Sequence, residues 1–318
     1  MKKIVSLILL VSLVVFAFAS CGKKDPEPQN NEKDYTLAIG MSVSGDTSDN
    51  ARNNGKIGAN VAVLVLDTEG KIVAARLDTI EYKVKSGKGE NVALNLTDPT
   101  SKMELGTNYG MEASANKGEW DTQVKWLETY LVGKTAAQVA AMTDADIAAG
   151  CTIASTTPGL KEAMANAFAS TSKTAFKAEG TFTVGAKLMM SVSNKTEDEA
   201  VDYTVAVDAE AAGVVVQNSK VVAATLDSAQ TTMVANSELT ATAFTYKANA
   251  SKRAQGTAYD QYSPMDAGTW YVQADAFCAA TVGKTATEIA TVSAAGCTMF
   301  NSPATFKANI AAAMGLAR

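Results

Sequence analysis

The chain has 318 residues, 47% of them hydrophobic, a formal net charge of −5 and no histidine. That is enough apolar material for more than one core, and the acidic balance argues against nucleic acid, which is held chiefly by cationic contacts to phosphate. The missing imidazole excludes histidine-based acid–base or nucleophilic catalysis and His-ligated zinc or haem.

Met1-Lys2-Lys3 leads into an apolar run from Ile4 to Ala19 that is broken only by Ser6 and Ser12. A charged start, a short apolar core and small residues before a break predict a signal peptide over residues 1–20, too short for a good spanning helix. Phe18-Ala19-Ser20-Cys21-Gly22 resembles the bacterial lipobox, whose cleavage leaves a lipidated cysteine at the new N-terminus, and this implies lipidation at Cys21. Residues 21–34 then form the lipidated cysteine and a flexible tether, since Lys23–Asp34 carries two prolines and nothing apolar to bury. Acyl chains on Cys21 would anchor the protein to the cell membrane on its extracytoplasmic face. Loss of residues 1–20 removes two lysines and no acids, taking the net charge from −5 to −7.

The rest of the chain is one unit written twice. Met41–Ser44 matches Met190–Ser193, and Lys71–Thr79 matches Lys220–Ser228, both at an offset of 149. Ser101-Lys102, Tyr109, Gly118, Trp120 and Gln123 match Ser251-Lys252, Tyr259, Gly268, Trp270 and Gln273 at an offset of 150. Gly150-Cys151-Thr152 matches Gly296-Cys297-Thr298 at 146, because the first copy has four extra residues after Thr135. The repeats are expected as tandem domains over 35–172 and 173–318.

In chain order, Tyr35–Val43, Val61–Leu66, Lys71–Leu77 and Ile80–Val84 are β-rich, with a turn signal at Asp67–Gly70. The second copy predicts strands at Thr181–Val192, Tyr203–Val207, Val214–Val216 and Lys220–Leu226. Helical periodicity follows in each repeat. Val124, Leu127, Tyr130 and Leu131 share a face after Trp120, and Thr135–Gln138 and Thr285–Glu288 are capping boxes. Thr157-Pro158 and Ser302-Pro303 start a last helix in each repeat. The fold class is therefore α+β: two tandem homologous domains, each an antiparallel sheet followed by two or three helices.

Few candidate sites stand up to inspection. The Gly-Lys-Thr triplets at 133–135 and 283–285 lack the earlier glycine of a P-loop, having Glu128 and Cys278 there instead. Acidic clusters do not recur in both repeats, and no metal site or catalytic residue is assigned. Trp120 and Trp270 suit either a cofactor stack or a buried core. Cys151, Cys278 and Cys297 are odd in number, which argues against a disulfide framework. The Gly-Cys-Thr stretch reads equally as a tight small-residue turn with a buried cysteine or as room for a cofactor.

Asp146-x-x-Ala149-Gly150-Cys151-Thr152, before a closing amphipathic helix, resembles the flavinylation motif Asp-x-x-Ser/Thr-Gly-Ala-Thr of FMN-binding domains. Gly70-Lys71-Ile72 is similar to a hairpin common in those domains, and the tail of the signal, Leu13–Ser20, looks like peptides released by some lipoproteins of this kind. Across both repeats and the anchor, the chain is similar to the pheromone lipoprotein A group of extracellular electron-transfer flavoproteins. The resemblance implies FMN joined by a phosphoester to Thr152 and Thr298, up to two per chain, with Gly150, Cys151, Gly296 and Cys297 as neighbours of the linkage and Asp146 as part of the motif. It also implies a flavin transferase for maturation, a membrane electron donor, an extracellular acceptor and a redox carrier rather than a stand-alone enzyme. The sequence departs from the motif in having Ala149 and Ala295 for the hydroxyl residue, Cys151 and Cys297 for alanine, and Val292 where the first copy has Asp146. The alternative is a cofactor-free surface lipoprotein acting as a binding or structural module.

Overall fold

A computed structural model describes residues 31–46, 55–83, 96–112, 116–153, 158–194, 202–236, 241–245, 251–262, 268–295, 297 and 304–318. The signal peptide, Cys21, most of the tether, Gly296 and Thr298 lie outside the described residues.

The first repeat opens with strands β1 (Lys33–Asp46), β2 (Lys56–Leu66) and β3 (Ile72–Lys83). Helices α1 (Lys102–Leu105), α2 (Trp120–Leu131), α3 (Ala136–Ala141), α4 (Asp144–Ile147) and α5 (Pro158–Ala169) follow. After them come β4 (Thr174–Ala178), β5 (Thr183–Asn194), β6 (Asp202–Gln217), β7 (Lys220–Asn236) and β8 (Ala241–Thr245). The second repeat closes with α6 (Lys252–Gln255), α7 (Trp270–Thr281), α8 (Ala286–Ile289) and α9 (Ala304–Gly315). Two four-stranded antiparallel sheets result, ordered β3-β2-β1-β4 and β5-β6-β7-β8.

The α+β class and the two similar units are as expected, and the strands are longer than the sequence suggested. The expected pairs Lys71–Leu77 and Ile80–Val84, and Tyr203–Val207 and Val214–Val216, are the single strands β3 and β6, with Val84 outside the described residues. Polar residues in the middle of each mask the continuity. Asp78 and Thr79 are buried and their polar atoms are bonded, so the ladder runs through them.

Alternation decides which face each strand residue takes. Leu37, Ile39 and Met41 of β1 and Val61, Val63 and Val65 of β2 face a central core. So do Leu188 and Met190 of β5 and Val205, Val207 and Val215 of β6. The two sheets thus pack face to face over one apolar layer. The opposite faces meet the helices. Ala62, Leu64 and Leu66 pack with Leu127, Leu131 and Met164, while Ala212, Val214 and Leu226 pack with Phe277, Ile310 and Ala313. β2 is covered on both faces, which explains its unbroken apolar run from Val61 to Leu66. Residues 32–318 consequently form one compact unit.

Two glycines let the last helix of each repeat lie close on its sheet. A Cβ at Gly40 would run into the backbone of Ala163 and Ala167 in α5, and one at Gly185 into the backbone of Ala313 in α9. Beyond α5 and residue 172 the chain stays with the first sheet. β4 returns to pair with β1 as the edge of the first sheet. At the corresponding place in the second repeat, Arg318 exchanges backbone hydrogen bonds with Val184 on the free edge of β5. Each repeat therefore closes on its own first strand.

The ends of the two repeats also reach across. Arg318 donates to both oxygens of Glu128 on α2, at 2.9 and 2.7 Å, and Arg76 joins the same carboxylate at 3.3 Å. Arg253 of the second repeat holds Ser172, which follows α5, and pairs with Asp275.

Candidate functional site

The Gly-Cys-Thr stretch of the first repeat is built against α2. Glu119 sits at the helix start and turns its side chain back to accept from the backbone N–H groups of Met111 and Glu112, at 2.9 and 3.0 Å. Gly118 precedes it with a φ of 85°, a left-handed conformation that glycine adopts without strain. Gln123, one turn into α2, is fully buried and bonded at both ends. Its Nε2 donates to the Gly118 carbonyl at 2.8 Å. Its Oε1 accepts from the Thr152 backbone N–H at 2.7 Å and from the Thr152 hydroxyl at 2.9 Å.

Trp126 and Tyr130 continue the same face of α2 at helical spacing. Their rings stack at 5.3 Å with an interplanar angle of 13°, and Lys134 Nζ lies 4.0 Å from the Tyr130 centroid. Gly150 lies directly on the Trp126 indole, and any Cβ there would overlap the ring. The turn is also tied at Ala149, whose carbonyl accepts from Lys117 Nζ at 3.0 Å. Its start is closed by the Ile147 carbonyl, which accepts from Gly150 and Cys151 N–H.

Replacing Gly150 with alanine is expected to lift this turn off Trp126. Tryptophan fluorescence of the variant should report a more solvated indole, and backbone amide exchange at Cys151 and Thr152 should accelerate; unchanged emission and exchange would refute the packing argument.

The site residues named from the sequence fall into different environments. Thr152 is exposed, while Cys151 points inward, 2% exposed, with its thiol pushed up by burial. Cys151 is therefore a small buried hydrophobe and not a thiolate nucleophile. Asp146 is exposed and closes a capping box at α4, its carboxylate accepting from the Thr143 N–H and hydroxyl at 2.8 and 2.7 Å. Those two bonds hold its carboxyl below the ordinary range. Trp120 and Trp270 are core residues, 3% and 1% exposed, so neither offers a face to a cofactor.

The second repeat keeps part of this construction. Gln273 is buried, its Nε2 donates to the Gly268 carbonyl at 2.9 Å, and its own carbonyl accepts from the buried Cys297 thiol at 3.5 Å. Val292, the counterpart of Asp146, is buried. Ala276 and Ala280 stand where the first repeat has Trp126 and Tyr130. The stacked aromatic pair is therefore not repeated at those two positions.

Gln123 and Trp126 were not assigned a role from the sequence. For Gln123 a signal existed, its recurrence as Gln273; for Trp126 there was none. An apolar groove of about 690 Å³ between α3 and α5, lined by Val139, Ala140, Ala165 and Phe168 among others, shares no residue with the Thr152 turn. Among the described residues no three acids or cysteines come together as a metal ion would need, and no helix is long and apolar enough to cross a membrane. The chain matches no family model, no curated protein and no solved structure.

A phosphoester at Thr152 is compatible with these surroundings. Thr152 is an exposed residue although its hydroxyl bonds to Gln123; Gly150 and Cys151 beside it are small, and Lys117 brings a positive charge onto the same turn.

Proposed function

We propose that the protein is a membrane-anchored, extracytoplasmic electron carrier with FMN attached covalently to Thr152 and, in the second repeat, to Thr298. The observation that carries this reading is Thr152, an exposed residue held on a small-residue turn of a motif whose sequence occurs in both repeats. Bound flavin would supply reversible one- and two-electron chemistry; the protein contributes attachment, charge and shielding. Lys117 offsets phosphate charge, Gly150 and Trp126 fix the turn, and Cys151 anchors it inward. Lipid on Cys21 keeps the carrier at the cell membrane, where a membrane donor reduces it and an external acceptor oxidises it. A flavin transferase performs the attachment.

The test is absorbance and peptide mass of protein made in a host that expresses a flavin transferase. A flavin spectrum and an FMN mass increment on the Thr152 peptide are expected, both lost from that peptide in Thr152→Val. Colourless protein with unmodified peptides would leave the second reading, a cofactor-free surface lipoprotein.

A further inference from the structure

We infer that Gln123 is the positioning residue for modification at Thr152, a conclusion that rests on the attachment proposed above. A threonine hydroxyl has one proton and two lone pairs. In this site the proton is directed into Gln123 Oε1 at 2.9 Å, so the lone pairs of Thr152 Oγ1, on a residue that is itself exposed, are left for an incoming electrophile. The same Oε1 takes the Thr152 N–H, which fixes the backbone that carries the hydroxyl. Gln123 is itself immobilised, because it is fully buried and its Nε2 is committed to the Gly118 carbonyl. One side chain therefore sets the position and the rotamer of the reacting oxygen, an arrangement that lowers the entropy cost of a bimolecular transfer.

The chemical step balances without redox change. The donor is an activated flavin phosphate of the flavin-dinucleotide class, brought by the transferase. Thr152 Oγ1 attacks the phosphorus next to the flavin, the phosphoanhydride bond breaks, and a nucleoside monophosphate departs. As the new P–O bond forms, the acidified O–H turns off Gln123 and gives its proton to a base of the transferase, since a carboxamide does not retain it at neutral pH. Gln123 is thus neither acid nor base. Its counterpart Gln273 repeats the bond to a glycine carbonyl at the same offset, while Thr298 lies outside the described residues.

The experiment uses full-length protein in a Thr298→Val background, so that only the Thr152 peptide gains mass, with purified transferase and a flavin dinucleotide. Gln123→Met keeps length and apolar bulk but removes the acceptor. It should lower kcat for loading at least about tenfold with KM for the protein substrate nearly unchanged. On the unmodified parent, the Thr152 hydroxyl proton should exchange slowly with solvent and show a nuclear Overhauser contact to the Gln123 side chain. Loading at the parent rate in Gln123→Met, a defect confined to KM, or a fast-exchanging hydroxyl in the parent would each overturn the inference while leaving the attachment standing. A parent that never loads would bring down both.

Discussion

Replacing Glu128 with alanine is expected to destabilise the protein by about 3–5 kcal/mol, because it removes the anion from a buried cluster and leaves its partners behind. The Glu128 side chain is 5% exposed and its carboxylate receives Arg76, Arg318 and the Leu77 N–H. Burial raises its carboxyl pKa despite the two guanidinium groups. Arg76, 13% exposed, also donates to the Val184 and Arg318 carbonyls, which hold it in place, so it is only partly hydrated when its counter-ion is lost. Arg318 is about a third exposed and contributes less, because solvent screens it. Arg318→Ala should therefore cost well under half as much. Urea denaturation of the two variants checks this directly: equal midpoints would contradict the ordering. Because the sheets share one core, a single transition is expected.

The second large effect is a dependence on pH. Asp78 is 4% exposed, and its Oδ1 accepts from the Thr79 and Met103 N–H groups at 2.7 and 3.1 Å. Burial pushes its pKa up to about 7, against the opposing pull of the Ser101 hydroxyl and the two N–H groups and with a small further push from Glu104. The folded protein therefore keeps a proton that the unfolded chain releases near pH 4. Between about pH 4 and 7 the folded state binds more protons, so stability falls as pH rises, with the full loss reached above 7. An Asp78→Asn substitution would keep the acceptor oxygen and stay neutral at every pH. The stability of this variant relative to the parent should rise by at most about 4 kcal/mol from pH 4 to pH 8. A stability difference that is flat with pH would show that Asp78 does not titrate in this range. The duplicated Asp227 is in the same situation, with Oδ1 accepting from the Ser228 and Arg253 N–H groups and its pKa raised by burial. Other carboxyls that burial pushes up, Glu128 and Glu210 among them, add to the slope, so Asp78→Asn removes one contribution of several.

The same pair of aspartates shows why part of the fold resisted reading. An acid in the middle of a strand looks like an interruption when only the sequence is visible. In the folded protein it anchors the start of α1 or α6 from below the helix, which lets the strand continue through it. The end of the first repeat was hidden for a similar reason. Lys173–Lys177 alternates small, charged and aromatic residues, and whether it begins one sheet or ends another depends on which edge is free.

At the candidate site, the threonine turn and the acid before it were legible, because small residues around glycine and a capping-type acid are local signals. The partners of that turn come from elsewhere in the chain. Gln123 lies 29 positions before Thr152, and nothing local tells a buried glutamine that holds a hydroxyl from a solvated one.

By itself the sequence determined the duplication, the α+β class, the capping boxes at Thr135 and Thr285 and the turn on which Thr152 sits. These follow from local periodicity and local hydrogen-bond chemistry, which act within a few residues. Only the tertiary structure decided that the two sheets bury their faces against each other, that each repeat closes on its own first strand, and that Gln123 meets Thr152. A hydrophobic pattern states that a face must be covered, but the identity of what covers it is settled by contacts between residues far apart in the chain.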